Sequence, residues 1–342
     1  MHPFEFLYYL GSSARKYYSL KYRRQLPRRV ISIGNITTGG TGKTPATIAL
    51  AEEAKRRFLF PVILTRGYRG KAKGPCFVSK GEGPLLSVEE AGDEPRLMAE
   101  RLMGVPIVKG ADRYEAGLFA LKELEAESWK HEPLVFILDD GFQHWRLQRD
   151  KDIVLVDALN PFGNGSLLPF GRLREPLHSL ERADIVVLSK STDGGQEGQG
   201  RMPADPVERE IRKYNAAAPV FRAEHIPLGC RLPTREKKPL EWLCGKKVFG
   251  FCALGDPLSF RKTVLSLGAQ LLGCRTFRDH HRYSPSDIAK ILKEAHQCGA
   301  EWIVTTEKDI IKLSDLDLPD NILTIEIAFS VEKGFYEEAL RE

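Results

Sequence analysis

Thr38-Gly39-Gly40-Thr41-Gly42-Lys43-Thr44 follows the apolar run Val30-Ile31-Ser32-Ile33 and precedes Pro45-Ala46-Thr47-Ile48-Ala49-Leu50-Ala51. The order is strand, glycine loop, helix. Such a loop lets backbone N–H groups close around phosphate oxygens at a helix N-terminus, whose partial positive charge favours anions. Thr38 to Thr44 form the candidate nucleotide-binding loop, with Lys43 reaching the outer phosphates and Thr44 holding Mg2+. One position departs from Gly-x-x-x-x-Gly-Lys-[Ser/Thr]: Thr37 stands where the first glycine is expected. Gly39, Gly40 and Gly42 still supply backbone freedom. The motif implies a nucleoside triphosphate and leaves open what becomes of the terminal phosphate.

Outward from this loop, short runs of Val, Ile and Leu alternate with helical patterns. That is the habit of an α/β fold with a mostly parallel sheet flanked by helices. Strands are expected at Val30–Ile33, Val62–Thr65, Val105–Val108, Leu134–Leu138, Ile153–Val156 and Ile185–Leu188. Several are continuously apolar, as in strands covered on both faces. Helices are expected at Pro45–Phe58, Pro95–Met103 and Tyr114–Leu124. The stretch from Thr192 to Pro206 is rich in Gly, Gln and Asp and reads as an exposed loop. A short helix follows at Val207–Tyr214, then extended segments at Val220–Ile226 and Cys230–Leu232.

A smaller α/β unit is expected from Lys247. Its strands are Val248–Ala253, Trp302–Thr305 and Ile322–Ile327; its helices are Leu258–Leu267, Ser286–Gln297 and Val331–Leu340. The expected organisation is therefore an N-terminal amphipathic membrane-surface helix (1–28), a P-loop NTPase-type core (29–219), a linker (220–246) and a C-terminal α/β domain (247–342). A cleft between two domains is where a ligand is expected.

The chain of 342 residues is long enough for two domains, and 42% hydrophobic with 28% charged residues is ordinary for a soluble globular protein. None of the six cysteines forms a Cys-x-x-Cys pair, so neither a zinc site nor a redox motif is indicated. Scattered thiols without a secretory signal suggest a reducing cytoplasm.

The formal charge of +5 is unevenly placed. Arg15, Lys16, Lys21, Arg23, Arg24, Arg28 and Arg29 crowd the N-terminus, where Glu5 is the lone acid. They are interleaved with Phe4, Phe6, Leu7, Tyr8, Tyr9, Leu10, Tyr17, Tyr18, Leu20 and Tyr22. This stretch is too basic and interrupted to span a bilayer. An aromatic, basic helix fits an anionic membrane surface; the alternative is a helix packed on the protein's own core with a solvated basic face. No nucleic-acid fold signature accompanies the charge, and no obligate protein partner is indicated.

Asp139-Asp140 ends the apolar run Leu134–Leu138, where a P-loop protein places a carboxylate for Mg2+. Strand alternation is expected to send one of the two acids towards the loop and the other elsewhere. In Gly92-Asp93-Glu94-Pro95, Asp93 reads either as an N-cap or as a general base near an acceptor hydroxyl. Asp279-His280-His281 does not suit a metal, because adjacent residues converge poorly on one ion; a histidine tuning a carboxylate, or a polar turn before a helix, remain as readings. The loops Arg66-Gly67-Tyr68-Arg69-Gly70 and Gly171-Arg172-Leu173-Arg174-Glu175 add cations suited to an anionic second substrate.

Together these residues resemble the tetraacyldisaccharide 4′-kinase family of lipid A biosynthesis. The matching segments begin with Gly34-Asn35-Ile36, Gly39-Gly40-Thr41-Gly42-Lys43-Thr44-Pro45 and Arg66-Gly67-Tyr68. Gly92-Asp93-Glu94-Pro95, Asp139-Asp140-Gly141-Phe142-Gln143-His144 and Gly163-Asn164-Gly165 follow, then Leu168-Pro169 and Leu173-Arg174-Glu175-Pro176. Phe277 with Asp279-His280-His281 and Thr306-Glu307-Lys308-Asp309 come last. They span nearly the whole chain; Arg172 departs from the Gly-Pro expected there.

The resemblance implies transfer of the γ-phosphate of ATP to the 4′-hydroxyl of a tetraacyldisaccharide 1-phosphate, giving lipid IVA, by a peripheral enzyme on the cytoplasmic face of the bacterial inner membrane. It implies Asp93 as base paired with His280 rather than His281, and Lys43 as a catalytic cation. Mg2+ falls to Thr44, Asp139 and Asp140, and the glycolipid to Arg66, Tyr68, Arg69, Gln143, His144, Arg174 and Glu175. A membrane-recruited regulatory ATPase of the partitioning class is the rival reading; Thr38, where that class usually has lysine, argues against it.

Overall fold

The continuous apolar runs become strands buried from end to end, and the amphipathic stretches between them become the helices that cover them. The computed structural model describes residues 2–126, 133–191, 206–314, 316 and 318–341. In chain order its helices and strands are α1 (Pro3–Lys21), β1 (Arg29–Gly34), α2 (Lys43–Arg56), β2 (Phe60–Thr65), β3 (Cys76–Ser79), α3 (Val88–Ala91), α4 (Asp93–Arg101), β4 (Ile107–Lys109) and α5 (Arg113–Ala126). Next come β5 (Leu134–Asp139), β6 (Lys151–Asp157), β7 (Ile185–Ser189), α6 (Pro206–Arg212), β8 (Val220–Arg231), β9 (Lys237–Lys238), β10 (Lys247–Cys252) and α7 (Pro257–Ser266). The last are β11 (Gln270–Thr276), α8 (Pro285–Gln297), β12 (Trp302–Thr306), α9 (Glu307–Ile310), β13 (Ile322–Val331) and α10 (Phe335–Leu340). The segment 192–205, expected as an exposed loop, lies outside the described residues.

The chain divides into one unit of Met1–His225 with Phe329–Glu342 and another of Ile226–Ala328. In the larger unit the strands run β8-β7-β6-β1-β5-β2-β4-β3. The pairings from β8 to β4 are parallel, and β3 joins β4 antiparallel. One face of β1 carries Ile31 and Ile33 into a core with α2, α4 and α10; Val30 on the other packs with α5. In the smaller unit β11-β10-β12-β13 run parallel. Phe260 and Val264 of α7 cover one side of β10, and Ile288, Ile291 and Ala295 of α8 the other.

Several expectations are corrected. The N-terminal helix ends at Lys21; Arg24 instead bridges to Leu147, and Leu26 is buried beneath α5. The extended strands expected within the linker, Val220–Ile226 and Cys230–Leu232, merge into one continuous twelve-residue strand, β8, whose end pairs with β9. The last helix begins only after Gly334, and its Phe335, Ala339 and Leu340 join the core of the larger unit rather than ending the smaller one. β3 and β11 were not anticipated. β11 is a half-exposed strand interrupted by Gly273 and Arg275, so it lacks a continuous apolar signature.

Candidate active site

The decisive placement follows from strand register. β1 lies between β5 and β6, and Ile33 is paired with Asp139. The glycine loop after β1 and the Asp139-Asp140 turn after β5 therefore leave adjoining strand ends on the same edge. The chain goes from β1 to strands on the β5 side, then returns from β5 to β6 on the other side. That reversal opens the crevice where ligands sit in open parallel sheets.

Gly42 is the N-cap of α2 with φ +84°, a left-handed conformation that L side chains rarely adopt. Asn35 Nδ2 donates to Thr41 Oγ1 at 3.0 Å, steadying the loop from β1. Thr38 N donates to Arg172 O at 2.7 Å. His225 closes the other end: a Cβ on Gly42 would fall 2.2 Å from its Nε2. That nitrogen is enclosed and has no hydrogen-bond partner among the described residues. Burial, reinforced by Lys190, lowers the His225 pKa to about 4, so the ring is neutral.

Asp139 is buried. Its two oxygens accept from Thr47 Oγ1 at 3.4 Å and Thr65 Oγ1 at 3.1 Å. Burial, then the neighbouring Glu94 and Asp140 carboxylates, push its pKa up to about 7. Asp140 behaves oppositely. Burial alone would raise it, but Lys43, Arg174 and Arg113 bring it down to about 2. Its Oδ1 lies 3.5 Å from Lys43 Nζ, and its Oδ1 and Oδ2 accept from Arg174 Nη1 at 2.9 and 3.0 Å. The expectation that alternation would separate the two acids is thus wrong. Asp140 has φ +51°, so the strand path has already broken and both carboxylates reach residues of α2.

This donor set fits Mg2+. A carboxylate raised by burial and by two neighbouring acids is short of a cation, and Thr44 is half-buried in the first turn of α2. Among the described residues no three His, Cys, Asp or Glu side chains form a metal cage. The fit is to Mg2+ arriving with nucleotide phosphates, using one or two carboxylates, a hydroxyl and waters.

A chain of hydrogen bonds supports Asp140. Arg174 Nη1 also donates to Gln143 Oε1 at 3.3 Å; Gln143 Nε2 donates to Asn35 O at 2.8 Å and Glu175 Oε1 at 2.9 Å; Arg182 Nη2 donates to Glu175 Oε2 at 2.6 Å. Glu175, expected to touch substrate, is a buried member of this chain. His144 is neutral as well, its pKa lowered to about 3 by burial and then by Arg113, and its Nε2 accepts the Arg113 N–H at 3.4 Å. Arg113 escaped sequence reasoning. It is buried, its pKa is lowered to about 10 by desolvation against the pull of Asp140 and Asp139, and its Nε is enclosed without a partner among the described residues. A lone arginine opening a helix after a strand carries no motif.

Asp93 is the first helical residue of α4, not its cap. Gly92 is the N-cap at φ +95°, and a Cβ there would lie 2.5 Å from Tyr68 O. Glu94 beside it acts on Asp139 through its charge, which sets the first turn of α4 near the β5 end. Arg66, Tyr68, Arg69, Lys73 and Lys109 line a basic cavity of about 360 Å³. Lys109 is held below its ordinary pKa by burial and donates to Glu90 O.

In the smaller unit His281 is committed locally. Its Nε2 is 3.2 Å from Asp287 Oδ2, and its ring stacks on Phe277 at 4.5 Å. His280 sits in a left-handed turn at φ +61°, with Nε2 3.8 Å from Asp279 Oδ2. Asp279 also receives Lys308 Nζ at 3.2 Å.

α1 is polar side in. Glu5, Tyr8, Tyr9, Ser12, Ser13, Lys16 and Ser19 are its buried or half-buried positions, while Phe4, Phe6, Leu7, Leu10, Tyr17, Tyr18 and Leu20 are exposed. Tyr8 Oη donates to Arg174 O at 3.1 Å, and exposed Phe170 joins His2 and Phe4 at the N-terminal end. No helix among the described residues is long and apolar enough to cross a membrane.

The chain matches the family model described as Tetraacyldisaccharide-1-P 4'-kinase over residues 1–342. It is 43% identical over 321 residues to a tetraacyldisaccharide 4'-kinase of Syntrophus aciditrophicus, covering 91% of this chain and 83% of that one. It is 40% identical over 306 residues to one of Halothermothrix orenii, covering 86% and 76%. Its fold is similar to that of LpxK from Aquifex aeolicus crystallised in complex with ATP, with TM-score 0.75 and 33% identity over 99% of this chain and 96% of that one.

Proposed function

Since the chain belongs to the tetraacyldisaccharide-1-P 4'-kinase family, we propose how its residues divide the transfer of the ATP γ-phosphate to the 4′-hydroxyl of a tetraacyldisaccharide 1-phosphate, which forms lipid IVA. The family membership sets aside the regulatory ATPase of the partitioning class. The observation that carries the division of labour is the register of Ile33 with Asp139, which puts the glycine loop beside two carboxylates of opposite pKa. Backbone N–H groups from Thr38 to Thr44 hold the triphosphate. Lys43 is kept pointed at the site by Asp140, and Arg113 balances the two acids from behind.

Thr44, Asp139 and Asp140 hold Mg2+, which when bound neutralises phosphate charge. Asp93 takes the proton of the acceptor hydroxyl, a contribution of about 10² to 10⁴ in rate. The role of orienting Asp93 is assigned to His280 from the family resemblance; His281 is held by Asp287 and Phe277. Arg66 and Arg69 of the basic cavity hold the 1-phosphate of the glycolipid, with Tyr68 against the sugar. Gln143, His144, Arg174 and Glu175 support this arrangement mainly through Asp140 and Arg113.

The enzyme works at the cytoplasmic face of the inner membrane. The inverted polarity of α1 supports this: a helix that turns its apolar side outward, beside Arg and Lys, suits the headgroup boundary of an anionic bilayer. Incubation with γ-labelled ATP and tetraacyldisaccharide 1-phosphate tests the reading. Label is expected in the lipid, at a rate lowered at least about 10²-fold by Lys43→Ala. Label released only as free phosphate contradicts it.

A further inference from the structure

Four cations around the phosphate loop are each matched by a carboxylate: Lys43 and Arg174 by Asp140, Arg182 by Glu175, and Lys190 by Asp157. Arg172 is different. Its Nε and Nη2 both donate to Thr38 O, at 3.1 and 2.9 Å, and among the described residues it forms no ion pair. The guanidinium rests directly on the loop, since a Cβ on Gly39 would fall 2.1 Å from Nη2. Its stem is fixed across Gly163, where a Cβ would meet its Cβ, Cγ and Cδ at 3.3 Å. Its backbone is fixed too, because Thr38 N donates to Arg172 O at 2.7 Å. A guanidinium has five N–H donors and is always charged; one carbonyl leaves it short of an anion.

We propose that Arg172 is a further catalytic residue of the phosphoryl transfer: the N–H groups not spent on Thr38 donate to the triphosphate of bound ATP. Arg172 then stabilises negative charge on the transferred group. In the step it serves, the acceptor oxygen forms a bond to Pγ and the bond from Pγ to the β–γ bridging oxygen breaks. ADP leaves with that electron pair and the hydroxyl proton passes to Asp93. Arg172 exchanges neither proton nor covalent bond. The inference rests on the kinase reading above, so the parent enzyme must first be seen to label lipid; failure there is separate from failure here.

The variants are Arg172→Gln and Arg172→Met, the second keeping an unbranched stem over Gly163. Removing one preorganised donor to developing charge is expected to lower kcat/KM for ATP by about 10², with melting temperature and KM for the lipid close to the parent's. Inhibition by AMP, which lacks the β- and γ-phosphates, is expected to be unchanged. The proposal is overturned if either folded variant keeps kcat/KM for ATP within about threefold of the parent. It is equally overturned if AMP inhibition weakens as much as ATP turnover, which marks collapse of the loop, or if neither variant folds, which marks a staple and nothing more.

Discussion

Asp139 and Asp140 are neighbours with opposite electrostatics, and the difference is testable. An unfolded aspartate titrates near 3.9, whereas folded Asp139 is raised to about 7 by burial and by Glu94 and Asp140. Between those values the folded chain keeps a proton that the unfolded chain has released. The stability owed to this group therefore falls as pH rises from about 4 to about 7. Asp140, depressed to about 2, contributes stability that is present above about 4 and is lost as pH falls towards 2. Asp139→Asn is expected to raise the melting temperature of the nucleotide-free protein more at pH 8 than at pH 5, while abolishing Mg2+-dependent turnover. Calorimetry at both pH values checks the first half; a variant destabilised equally at both contradicts it. The paired acids were legible from their position after an apolar run. Their orientation was not, because it depends on the left-handed backbone of Asp140. Arg113 and His225 were illegible for another reason: each acts through tertiary contacts, with no spacing to betray it.

Elements with one clear periodicity were read correctly from the chain. β1, α2 and β5 sit where their apolar patterns put them, because strands covered on both faces need continuous apolar runs. α10 was assigned to the wrong unit, since six residues cannot announce which core will bury Phe335. α1 is the instructive case. Its composition was legible, but not the side it turns inward. Exposed Leu7 and Leu10 on the outer side lead to a direct expectation. Leu7→Glu with Leu10→Glu should weaken binding to anionic phospholipid vesicles by roughly tenfold or more, because each buried leucine contributes about 1.5–3 kcal/mol. The melting temperature should not change. Flotation with anionic and zwitterionic vesicles measures this, and undiminished binding would show that α1 is not the contact.

The larger unit holds the phosphate loop, the paired carboxylates, the basic cavity and the outward apolar helix; in the smaller unit the turn at His280 is braced by Asp279, Lys308 and the His281–Asp287 pair. Phosphoryl transfer relies mostly on positioning and charge neutralisation, so most of these residues hold rather than react. In the proposed transfer Asp93 accepts the proton of the lipid hydroxyl. The most direct test of that role is the single-turnover rate of label transfer from γ-labelled ATP to tetraacyldisaccharide 1-phosphate, measured with parent and Asp93→Ala alongside the Kd for ATP. The rate is expected to fall by about 10² to 10⁴ with the ATP Kd essentially unchanged. A variant that transfers label at close to the parent rate would contradict it.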